Sequence, residues 1–125
     1  MTTFVTLYGI PNCDTVKKAR AWLAERGVDV VFHDFKKQGV PPEHLRRWTN
    51  AVGWEKLLNR QGTTWRKLDA TAQAAVHDEA SAAALLTAQP SAIRRPVVEW
   101  RQVAGAADGE VTVGFAPDDW ARRVG

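Results

Sequence analysis

The stretch Leu7-Tyr8-Gly9-Ile10-Pro11-Asn12-Cys13-Asp14-Thr15-Val16-Lys17-Lys18-Ala19-Arg20 joins two kinds of hydrophobic spacing. Before it, Phe4, Val5, Leu7 and Ile10 make the short apolar run of a buried strand. Gly9 and Pro11 then punctuate the chain. From Val16 the apolar residues fall at Val16, Ala19 and Leu23, with Trp22 alongside, which is the spacing of one helix face. Asn12 or Asp14 is placed to cap that helix, and Gly27 to end it. The only cysteine of the chain, Cys13, is therefore predicted in the loop before the helix or in its first turn.

That place has chemical consequences. The first N–H groups of a helix lack internal partners and carry the positive end of its dipole. A thiolate there is stabilised, and its pKa falls below the free value of about 8.5. The same N–H groups receive an oxyanion. A lone cysteine is also a common buried apolar residue. The strand–loop–helix placement raises a reactive thiol to equal standing with an inert one.

A chain of 125 residues is long enough for one domain with a real core. Hydrophobic residues at 45% and charged residues at 25% match an ordinary soluble protein. A single cysteine excludes an internal disulfide and fits a reducing cytoplasm. There is no basic stretch leading into a long apolar one, and no apolar run of membrane-spanning length. The formal net charge of +3 is mild and its basic residues are scattered, which argues against nucleic-acid binding. His33, His44 and His77 lack metal-ligand spacing, and with one cysteine no metal site is expected. There is no Gly-rich phosphate loop of a nucleotide-binding type.

Beyond Gly27, Val28 to Phe35 is β-branched and aromatic, a second strand. Strand, helix and strand in so short a span make a βαβ unit with parallel strands. Lys36 to Val40 reads as a turn, and Pro41-Pro42-Glu43 opens a helix whose apolar face is Leu45, Trp48 and Val52. Gly53 breaks it, Trp54 to Leu58 forms a following turn, and Asn59 to Thr64 is a polar loop. Thr71 to about His77 is the next helix, and Ser81 caps another that ends before Pro90. Val97 to Trp100 and Val111 to Phe115 flank an Asp108-Gly109 turn, a hairpin, and Pro117-Asp118-Asp119-Trp120 starts a last short helix. The expected architecture is α/β and thioredoxin-like: one domain over residues 1–125, a four-stranded mixed sheet, and an inserted helical subdomain over about residues 41–90.

Tyr8 to Ala19 resembles the active-site loop of the ArsC/Spx family of thioredoxin-fold proteins. Gly62-Thr63-Thr64-Trp65-Arg66-Lys67-Leu68 and Arg94-Arg95-Pro96-Val97-Val98 resemble later landmarks of that family, and the Cys13-Asp14-Thr15 loop and the Gly62 to Leu68 stretch look closest to its YffB-type branch. The resemblance implies that Cys13 is the catalytic nucleophile. Arsenate reductases of the family hold the oxyanion with three arginines. Arg60 lies in the loop of the first, and Arg95 matches the second. The third belongs in the strand from Val111 to Phe115, where this sequence has no arginine. Pro96 is a candidate cis proline. Asn12, Asp14 and Thr15 join Arg60 as candidate anion- and substrate-binding residues, and Lys17 is a candidate partner for incoming carboxylates.

Spx-type regulators often carry Cys-x-x-Cys at this loop, where the second position here is Val16. Any adduct on Cys13 must then be resolved by an external thiol. The function implied is a glutathione-dependent thiol oxidoreductase with no bound cofactor, using glutathione as co-substrate or glutaredoxin as partner. The alternatives are a true arsenate reductase and a non-enzymatic, Spx-like partner of RNA polymerase.

Overall fold

A computed structural model of the chain describes residues 3–101 and 109–124. The Asp108 side of the expected hairpin turn lies outside the described residues. The chain forms two compact units, one built from its two ends, through Asp34 and from Arg95 onward, the other being Phe35–Arg94.

In the first unit, strands β1 (Phe4–Gly9), β2 (Val30–Asp34), β3 (Val97–Arg101) and β4 (Glu110–Val113) form one sheet in the order β2-β1-β3-β4. β1 pairs parallel with β2 and antiparallel with β3, and β3 pairs antiparallel with β4. The sheet is mixed and the arrangement is the thioredoxin-like fold. Helix α1 (Asp14–Glu25) is the βαβ crossover, and α8 (Pro117–Val124) closes the chain.

Alternation sorts the strand side chains between two faces. Val5, Leu7, Val98 and Trp100 pack with Val16, Ala19 and Leu23 of α1 and with Trp120 of α8. Trp120 is fully buried, its ring 5.2 Å from Trp100, 4.9 Å from Phe115 and 5.9 Å from Trp22. Of the opposite face, Tyr8 and Glu99 are also buried. There the Tyr8 hydroxyl donates to Glu99 Oε1 at 3.0 Å, and Arg101 pairs with the same carboxylate. A buried charge needs such partners, because desolvation otherwise costs several kcal/mol.

Helix α1 stops as its sequence dictates. Gly27, at φ 69°, donates its N–H to Ala24, and Val28 donates to Leu23, which satisfies the terminal carbonyls. The start differs from expectation. Neither Asn12 nor Asp14 caps the helix: Cys13 itself holds the N-cap position, and Asp14 is the first helical residue.

The second unit is helical: α2 (Phe35–Gln38), α3 (Pro42–Val52), α4 (Trp54–Leu57), α5 (Thr63–Arg66), α6 (Ala70–Ala74), α7 (Glu79–Ala88) and a 3₁₀ turn at Pro90–Ala92. Leu45, Trp48, Leu57, Leu58, Leu86 and Ile93 are buried in it. The expected turn after Phe35 is a helical turn, because Gly39 N–H bonds back to the Phe35 carbonyl. The expected helix from Thr71 is shorter and starts earlier, since the Asp69 carboxylate accepts from Ala72 N–H and sets its beginning. Ser81 is not the cap of α7. Asp78 is, and Ser81 is its reciprocal partner in a capping box. Among the described residues no helix is long and apolar enough to cross a membrane.

Candidate active site

Cys13 follows the central strand β1 and begins α1. Two local features set its position. The Cys13 N–H bonds to the Ile10 carbonyl at 3.1 Å, closing a tight turn through Pro11 and Asn12. Its own carbonyl accepts from Lys17 N–H at 2.9 Å, the first bond of the helix. The backbone at Cys13 is extended, φ −83° and ψ 123°, as an N-cap requires.

Gly9 allows α1 to start so close to the strand. A Cβ there would meet Val16 Cγ2 at 2.8 Å. Val16 is fully buried, so the contact pins the first turn of α1 against the end of β1.

An N-cap side chain normally accepts from the second or third helical N–H. Here those groups belong to Thr15 and Val16. The neutral thiol is a weak acceptor and makes no cap bond. Once ionised, the sulfur is stabilised by both. Burial pushes the Cys13 thiol up, but three groups oppose it: Val16 N–H, the Arg95 guanidinium as hydrogen-bond donor and as charge, and Thr15 N–H. Together they bring the thiol below the usual cysteine range. The cysteine is only partly buried.

Arg95 arrives from the other end of the fold. It precedes β3, which lies beside β1, and the Arg95–Pro96 bond is cis. The Pro96 carbonyl accepts from Gly114 N–H at 2.9 Å, which ties this corner to the end of β4. The neighbouring Arg94 is used differently. It belongs to the helical unit, with its backbone N–H on the Leu57 carbonyl and its Nε on that of Lys56.

The remaining expected site residues separate into groups. Thr15 adjoins the sulfur through its backbone N–H, while its side chain, like those of Asn12 and Asp14, is exposed. Arg60 belongs to the helical unit. There its guanidinium lies 5.7 Å from the Trp54 ring and 5.9 Å from the Trp65 ring, within cation–π reach of both. Strand β4 ends at Val113 without an arginine. No group of three His, Cys, Asp or Glu among the described residues is arranged to hold a metal ion. His33 instead packs against Tyr8, the two rings tilted by 39° with centroids 4.9 Å apart.

Two contributors were not singled out from sequence. Val16 supplies the N–H that stabilises the thiolate most, and Gly9 supplies the clearance for it. A glycine at the end of a strand, seven residues before a helical valine, was the available signal.

Comparison with known proteins matches the ArsC family model over residues 8–123. A solved YffB protein is 49% identical, covers 97% of this chain and 99% of its own, and superposes with a TM-score of 0.85. An arsenate reductase (ArsC) related protein from Brucella melitensis is 48% identical over 98% of this chain and 93% of its own, with a TM-score of 0.70. The global transcriptional regulator Spx of Streptococcus mutans is 29% identical over 128 residues, 95% of this chain and 88% of that protein. The cysteine at the head of α1, the cis proline opening β3 and the sheet order thus accompany a sequence match over nearly the whole length, and the chain belongs to the ArsC family of thioredoxin-fold proteins.

Proposed function

We propose that the protein is a glutathione-dependent thiol oxidoreductase whose single nucleophile is Cys13. The observation that carries this reading is the thiol at the N-cap of α1, lowered in pKa by helix N–H groups and by Arg95. A thiolate, not a thiol, attacks disulfide sulfur. In the first step the Cys13 thiolate attacks the glutathione sulfur of a mixed disulfide and expels the substrate thiolate. In the second, the thiolate of reduced glutathione attacks the Cys13–glutathione disulfide. Oxidised glutathione leaves and the Cys13 thiolate is restored. Arg95 and the two N–H groups stabilise the negative sulfur at the start and end of the cycle. The external thiol is required because Cys13 is the only cysteine of the chain and Val16 holds the position where a resolving cysteine would stand. Glutaredoxin is the alternative resolving partner.

Arsenate reduction is the second reading, favoured by the family and by Arg95. Each bidentate guanidinium contact to a tetrahedral dianion is a charge-assisted pair. The strand expected to supply the third arginine has none, which weakens the grip on arsenate. The likeness to Spx supports a third, non-enzymatic reading, docking to RNA polymerase.

Mass spectrometry separates them. After exposure to oxidised glutathione, the expected result is one glutathione adduct on Cys13, absent in Cys13→Ser, formed more slowly in Arg95→Ala, and removed by reduced glutathione. An arsenic adduct formed from arsenate with reduced glutathione would move the assignment to arsenate reductase. No adduct under either condition, with co-elution on RNA polymerase, would replace the enzymatic reading by the third.

A further inference from the structure

Helix α1 carries more than the N-cap cysteine. At 3.6 residues per turn, Cys13, Lys17, Arg20, Ala21 and Ala24 fall within one stripe about 100° wide. This stripe flanks the face that holds Val16, Ala19 and Leu23 in the core. Below Cys13 it meets β2, and the two enclose a groove of about 540 Å³. Ala24, Val30 and Phe32 make its apolar wall, with Lys17, Arg20 and Asp29 as its charged lining. The Arg20 guanidinium sits 4.2 Å from the centroid of the Phe32 ring, a cation–π contact that fixes the charge beside the groove. Among the described residues neither Lys17 nor Arg20 forms an ion pair.

Strand β2 is an outer strand of the sheet. An outer strand beside a groove accepts an added extended segment. Backbone bonds run to the strand, and alternate side chains enter the groove. Charge selects the occupant. An acidic segment meets opposite charge. Lys17 stands about 6 Å and Arg20 about 10 Å along the helix from Cys13. Asp29 lies at the far end, just before β2 begins, so the acidic residues of the occupant belong on the side nearer Cys13.

We propose that the groove between α1 and β2 docks an acidic, extended segment of a protein partner, with its acidic end directed toward Cys13. The proposal builds on the reading of Cys13 as a reactive thiol by naming the class of protein delivered to it. Docking itself needs no chemistry at the sulfur.

The test uses the full chain with Cys13→Ser, so that only binding is read. The probe is a fluorescein-labelled peptide of alternating Glu and Val, with the Lys and Val counterpart as control, followed by fluorescence anisotropy. The expected result is binding of the acidic peptide that weakens as salt rises, and loss of affinity by roughly ten-fold or more in Lys17→Glu/Arg20→Glu, which then prefers the basic peptide. Asp29→Asn should tighten binding of the acidic peptide. All three positions are exposed, and circular dichroism checks that the fold is kept. Equal affinity in the charge-reversed variant, no binding of the acidic peptide, or self-association abolished by the same substitutions would overturn the proposal. Glutathione loading of wild-type Cys13 is measured separately. Loading without peptide binding refutes the docking site alone, and binding without loading refutes the thiol reading alone.

Discussion

Gly9→Ala adds one methyl group at the closest approach of β1 and α1. The new Cβ would lie 2.8 Å from Val16 Cγ2 and 3.3 Å from Cγ1. Unstrained carbon contacts lie at about 3.5–4.0 Å, so the shortfall is roughly 0.7 Å at the nearer atom. Val16 has no room to give, being fully buried against Leu7 and Ala19 of the same core. Its branched side chain has one strongly preferred rotamer in a helix, and both γ carbons face the clash. The first turn of α1 must therefore shift. Overpacking of this kind costs about 1–3 kcal/mol. The shift also moves the Val16 N–H away from the Cys13 sulfur, so alkylation of the thiol at neutral pH should slow. Val16→Ala removes the obstructing methyl groups and should cost about 2 kcal/mol alone. The double variant should then be more stable than the sum of the two by about 1 kcal/mol or more. Urea unfolding gives the stabilities and iodoacetamide kinetics the reactivity. A neutral Gly9→Ala, or additive effects in the double variant, would refute the claim that this contact places the helix and its N–H groups.

Two further outcomes follow from the same structure. The lowered pKa of Cys13 means that its ionised form stabilises the fold. That contribution is fully present above the unfolded thiol pKa of about 8.5 and is lost as pH falls through the lower folded value. Under reducing conditions, the stability of wild type relative to Cys13→Ser should rise with pH across that window, and a flat or falling difference in urea midpoints contradicts it. Trp120→Ala removes the ring shared by Trp22, Trp100 and Phe115 and should cost about 3–5 kcal/mol, read from thermal unfolding; a loss below about 1 kcal/mol would mean that α8 is held by other contacts.

The sequence-derived expectations succeeded where a pattern is local. Val16, Ala19 and Leu23 repeat at helix spacing because one face of α1 meets the sheet, and Gly27 ends the helix because its φ is positive. The cis peptide before Pro96 was anticipated from the place of that proline ahead of the third strand of a thioredoxin-like sheet. Starts of helices were read less well. Asn12, Asp14 and Ser81 all have capping chemistry, yet Cys13 and Asp78 hold the cap positions, because the turn before each helix decides which side chain faces the free N–H groups. The short helix α5 gave little signal, having no buried residue to impose a period. The helix expected from Thr71 to about His77 exists as α6, shorter and one residue earlier, again with no buried residue to fix its length. Contacts made only on folding were out of reach, including the Gly9–Val16 approach, the Arg20–Phe32 stacking and the pairing of Glu99 with Arg101 and Tyr8.

The central claim is that helix N–H groups and Arg95 ionise Cys13 in preference to an ordinary thiol. Thiolate ultraviolet absorbance, followed against pH in wild type and in Arg95→Gln, tests it directly. The account predicts a wild-type midpoint below that of free cysteine, and a midpoint in Arg95→Gln that moves upward while staying a single titration. Coincident curves, or a wild-type curve rising only where free cysteine does, would contradict it.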